Sequence, residues 1–186
     1  MKKVKYFPIL VSFFLFNSLS AQELSTAIAQ KAEALQNQLM QWRRYLHQNP
    51  ELGNREFKTA AYITEQLKDL GLEIKTGIAK TGVVAILKGG KPGPVIALRA
   101  DMDALPVKER VNIPYASTDS SMYGKTKVAV MHACGHDAHV AMLIGTAKVL
   151  SGMKKDIAGT IKFIFQPAEE GAPEGEEGGA ALMVKE

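Results

Sequence analysis

Along this chain the spacing of apolar residues switches from helical to extended and back, and that alternation limits the fold more than any other feature. From Leu24 to about His47 the apolar residues recur at helical intervals (Leu24, Ile28, Leu35, Leu39, Trp42, Leu46), which predicts an amphipathic helix stopped by Asn49 and Pro50. A second helix is predicted from about Glu56 to Leu70, with Ala60, Ile63, Leu67 and Leu70 on one face and Gly71 closing it. Three short, glycine-bounded runs follow, "LEIKTGI", "TGVVAILKG" and "GPVIALRAD", which predict successive strands. The last is almost wholly apolar from Val95 to Leu98, the pattern of a strand covered on both faces. Pro106, Pro114 and a Ser/Thr/Asp cluster make 104–123 a loop. "DAHVAMLIGTAKVL" then resumes the helical period with Asp137 as its N-cap, "GTIKFIFQP" reads as a buried strand, and "EGGAALMVKE" begins another helix. Helix alternating with strand predicts an α/β fold, with helices layered on both sides of a sheet that is largely parallel or mixed.

A chain of 186 residues, 46% hydrophobic and 23% charged, has room for one domain with a real core. Its net charge of +4 owes much to Lys2, Lys3 and Lys5. No basic patch is interleaved with aromatic residues, so a nucleic-acid partner is not expected. The opening "MKKVKYFPILVSFFLFNSLSAQ" has a positive head, an apolar run and then small residues, the layout of a secretory signal peptide over 1–21. Its apolar run is interrupted by Pro8, Ser12 and Asn17 and falls short of the ~20 residues a membrane span needs. The expectation is an exported protein, periplasmic or secreted, with no stable membrane span once 1–21 is removed. A retained anchor is the competing reading.

Export sharpens the question posed by "MHACGHDAHV". Three of the four histidines (His132, His136, His139), the only cysteine and Asp137 fall within eight positions. One cysteine cannot form an internal disulfide, so Cys134 is a buried hydrophobe, a link between chains or a functional thiolate. Thiolate, imidazole and carboxylate together are the ligand set of zinc and related metals, and the glycine between Cys134 and His136 lets the backbone turn both toward one ion. Either residue alone would read as core; side by side they favour a metal, with His132 and His139 as supporting or helix-surface residues. The adjacent carboxylates Glu169 and Glu170 follow a buried strand. Alone they would be a solvated turn, but metal-assisted hydrolysis needs one carboxylate on the ion and another to take a proton from the metal-activated water. Asp101 and Asp103 end another strand, where turn chemistry ahead of Pro106 is the plain alternative; Asp101 is the candidate to orient a ligand histidine. All three segments can meet at the carboxyl end of the sheet, where open α/β sheets place their ligand crevices.

At this point the chain resembles a known family, the metal-dependent amidohydrolases and peptidases that include aminoacylases, hippurate hydrolases, plant auxin-conjugate hydrolases and, more distantly, carboxypeptidase G. The blocks "WRRYLHQNPELGNREFKTA", "ALRADMDALPV", "MHACGHDAHVAMLIGTAKVL" and "IKFIFQPAEEGAPEGEEGGA" carry the likeness. The resemblance implies two divalent ions (zinc, or manganese, cobalt or nickel), with Cys134, His136 and Glu170 as ligands, Glu169 as general base and Asp101 as supporting acid. It implies hydrolysis of the amide bond of N-acyl amino acids, related conjugates or peptides, and a homodimeric full-length protein. Relatives carry two further histidine ligands and a lid domain downstream, so residues 22–186 are expected to be the N-terminal portion of a catalytic domain, inactive by itself. Two other readings compete: a thiol hydrolase with Cys134 as nucleophile and His132 or His136 as base, and a non-catalytic protein that keeps the fold without a complete metal site.

Overall fold

The computed structural model describes residues 22–186; the expected signal peptide lies outside the described residues. The described chain divides into two units, the first ending at Gln36 and the second covering 37–186. In the first, helix α1 covers 22–34 with Leu24 and Ile28 exposed. At Leu35 the N–H donates to the Ala32 carbonyl (3.1 Å), a tight turn that ends α1. The single helix expected from Leu24 to His47 is therefore two. Its N-terminal apolar positions bury little, while the buried ones lie in α2, Gln36–Gln48.

In the second unit, α2 turns Trp42 and Leu46 into the core, and Trp42 Nε1 donates to Gln66 Oε1 (2.9 Å) on α3, Phe57–Leu67. A 3₁₀ turn, Lys68–Leu70, completes the second expected helix. The three expected strands are β1 (Glu73–Ile78), β2 (Gly82–Lys88) and β3 (Lys91–Asp101). After them come a hairpin, β4 (Ser120–Tyr123) and β5 (Thr126–Ala129), then α4 (His136–Ser151), β6 (Ala158–Gln166) and α5 (Gly179–Lys185). The hairpin occupies the end of the expected loop and the residues beyond it.

The main sheet has the order β1-β2-β6-β3. β1 with β2 and β2 with β6 are antiparallel, while β3 with β6 is parallel. The sheet is thus mixed. Val83 pairs with Phe165 and Ala85 with Phe163, so β2 and β6 turn the same residues to one face. Ile63 and Leu67 of α3 and Val140, Ile144 and Ala147 of α4 join that face in a single core.

Two expectations fail on packing grounds. β3 is an edge strand, hydrogen-bonded only to β6 among the described residues, and its residues Val95 and Ile96 are 63% and 52% exposed; it is not covered on both faces. Asp137 does not cap α4. The helix starts one residue earlier, at His136, with Gly135 at the cap, and the Asp137 carboxylate instead meets Arg43 and His47 of α2. Among the described residues no helix is long and apolar enough to cross a membrane.

Candidate metal centre

Parallel pairing brings the carboxyl ends of β3 and β6 side by side: Asp101 sits opposite Gln166, and the Met102 N–H donates to the Gln166 carbonyl (3.0 Å). Two isolated bridges tie the neighbouring loops to this edge. Leu52 pairs with Ala104, and Leu105 with Met131 just ahead of the Cys134 loop. The segments holding Asp101/Asp103, Cys134/His136 and Glu169/Glu170 therefore meet at one rim.

His136, buried at the first position of α4, is the pivot. Its Nδ1 lies 2.9 Å from the Asp103 carbonyl oxygen and 3.3 Å from Asp103 Oδ1. An acceptor there holds a proton on Nδ1 and leaves Nε2 to face the rim. Nε2 is 3.7 Å from Glu169 Oε2 and 3.9 Å from Glu170 Oε1, too far for hydrogen bonds. Donor atoms of Cys134, His136 and Glu170 all lie within 4.8 Å of one another. Ligands about 2.0–2.3 Å from a tetrahedral ion are themselves spaced by roughly 3.3–3.8 Å, so a small closure would seat a zinc-like cation among them.

The electrostatics point the same way. The Asp103 carboxylate beside it, against the pull of burial, drives His136 up to about 9. The bond to Glu170, with Glu169 and Asp101 nearby, raises the Cys134 thiol above its ordinary value. Four carboxylates and a thiol crowd one imidazole, a site short of positive charge that a divalent cation would balance. A thiol nucleophile needs the opposite shift, toward thiolate, so this environment argues against the thiol-hydrolase reading.

The carboxylate that touches His136 Nδ1 is that of Asp103, whereas Asp101 was expected to provide that support. Asp101 Oδ1 lies 2.9 Å from Arg99 Nη1, and its Oδ2 is 3.9 Å from His139 Nδ1. Asp101, His136 and His139 form a second close group of donor atoms. Asp103 also accepts the Glu170 N–H at Oδ2 (2.9 Å), linking the histidine loop to the carboxylate loop. His132 lies behind the rim with both ring nitrogens buried and without hydrogen-bond partners among the described residues, and burial lowers it to about 4. His47 has Nδ1 3.0 Å from Asp137 Oδ2 and Nε2 3.0 Å from Glu109 Oε2, and is not one of the residues of either close donor group.

Residues 97–186 match the peptidase family M20/M25/M40. An N-acyl-L-amino acid amidohydrolase of Geobacillus stearothermophilus is 45% identical over 85% of this chain and 40% of its own length. An N-acetyl-L-cysteine deacetylase of Bacillus subtilis (strain 168) is 47% identical over 73% of this chain and 31% of its own. Among solved structures, a Bacillus subtilis dinuclear metal binding peptidase from the M20 family superposes with a TM-score of 0.67 at 45% identity, covering 74% of this chain and 36% of that one. The chain thus spans only 40% and 31% of the lengths of these two curated relatives. Residues 97–186 therefore carry a domain of the peptidase family M20/M25/M40.

Proposed function

We propose that this chain contributes the metal-binding rim of an exported hydrolase that cleaves the amide bond of N-acyl amino acids, or of related small conjugates and peptides. The observation that carries the proposal is the convergence of Cys134, His136 and Glu170 from two separate loops, with Glu169 beside them. The substrate class is supported by the relatives that act on N-acyl and N-acetyl amino acids. Two metal ions are supported by the dinuclear M20 peptidase of known structure. Export follows from the leader-like 1–21, and homodimerisation from the family resemblance alone.

In this reading Cys134, His136 and Glu170 hold a divalent cation. Bound there, the cation supplies a Lewis acid that polarises the scissile carbonyl and makes water a stronger acid near neutral pH. Glu169 Oε2 takes the proton from the attacking water and returns it to the departing nitrogen, as a general base and then a general acid. Asp103 keeps the His136 proton on Nδ1 and so points Nε2 at the site. Its Oδ2 fixes the Glu170 backbone, which keeps the ligand and the base in register.

The test is metal analysis and turnover of an N-acetyl amino acid panel with the whole protein. Glu169→Gln should keep its metal and lose about 10²–10⁴-fold in kcat. Cys134→Ala and Glu170→Ala should lose metal occupancy itself. Normal metal content in both of the latter would remove the ligand assignment, and full activity after exhaustive chelation would remove the metal.

A further inference from the structure

The turn between α2 and α3 supplies no donor to the candidate metal site, yet it holds a completely enclosed carboxyl group. Glu56 is 0% exposed. A buried carboxylate is costly unless both oxygens are occupied, and here they are: Oε2 accepts from Thr81 Oγ1–H (2.6 Å) and Oε1 accepts from the Ala168 backbone N–H (2.8 Å). Ala168 directly precedes Glu169 and Glu170.

Ala168 is itself unusual. It is buried and left-handed, with φ of 48°, a conformation that side chains other than glycine adopt at a cost and keep only where the surroundings over-determine it. The same turn supplies part of those surroundings. At Gly53 an added Cβ would fall 3.2 Å from Ala168 Cα and Cβ and 2.5 Å from the Gly171 carbonyl oxygen, so the two backbones pass closer than any side chain allows. Two residues past Ala168, the Glu170 N–H is fixed by Asp103.

We infer that Glu56 is a positioning residue: its bond to the Ala168 N–H locks the left-handed turn that swings Glu169 and Glu170 back toward His136. The functional consequence rests on the roles proposed for those two carboxylates, while the lock itself is a property of the folded chain. Thr81 shares the buried carboxylate but has no bond to the 168–171 loop, so it separates positioning from simple stability.

Amide hydrogen exchange on the metal-free protein decides the matter without reference to activity. In the wild type the Ala168 and Glu170 amides should exchange as slowly as those of β6; exchange at the rate of an open loop would overturn the inference. Glu56→Ala should speed exchange at both amides by about tenfold or more. Glu56→Gln, whose amide oxygen can still accept from Ala168, should restore protection, and Thr81→Val should lower the melting temperature without freeing either amide. Co²⁺ titration adds the functional arm: Glu56→Ala weakens binding about tenfold and Thr81→Val leaves it unchanged. A wild type that binds no Co²⁺ would sink the proposed metal site while exchange still judges the lock. Unchanged Glu170 exchange in Glu56→Ala, or equal loss in Thr81→Val, would sink the lock itself.

Discussion

Asp103 does for His136 what either of two aspartates might have done from sequence alone. Residues two apart at a strand end share a face, so Asp101 and Asp103 are equivalent in any pattern of apolar and polar positions. What separates them is three-dimensional. Asp103 offers His136 both its carboxylate and its own carbonyl oxygen, while Asp101 is engaged by Arg99. Asp103→Asn should therefore lower metal affinity by about 10–100-fold, and Asp101→Asn by much less, as isothermal titration with Zn²⁺ or Co²⁺ would show. The grouping of Cys134 with His136 was legible because cysteine and histidine are scarce in this chain and sit together. Glu56 was not, since its burial depends on Thr81 and Ala168, 25 and 112 residues away.

At the scale of elements, hydrophobic period located nearly every helix and strand within the second unit, because each presents one apolar face to a common core. Boundaries failed where a side chain found a better tertiary partner than the local one. Asp137 looks like a cap but pairs with Arg43 and His47, which leaves the start of α4 to Gly135 at φ of 91°. That residue bends the chain between Cys134 and His136. No atom outside its neighbours would crowd a Cβ there, so the strain of a substitution lies in the backbone itself. Gly135→Ala should cost about 1–2 kcal/mol in urea unfolding and pull the two donors apart, with a parallel loss of Co²⁺ affinity. The apolar run of β3 was misread for a different reason. Composition reports that a strand can be covered, while its place in the sheet decides whether it is.

Across the whole molecule, the alternation of helix and strand was enough to give the α/β class, but not the strand order, because β6 enters between two strands made long before it. The core built on that arrangement makes an unequal set of demands on its residues. Phe163→Ala, at a fully buried site, should cost about 3–5 kcal/mol. Ile96→Ser, on the exposed outer strand, should stay within about 0.5 kcal/mol, and chemical denaturation of the two variants checks the contrast. The central position of β6 also governs the order of events as the chain leaves the ribosome. β2 can pair with β1 as soon as both have emerged, but its other edge, and the whole of β3, stay unpaired in the main sheet until Ala158–Gln166 has been synthesised and inserted between them. For that interval the nascent chain carries open strand edges, the sort of surface that invites self-association and that holding chaperones shield.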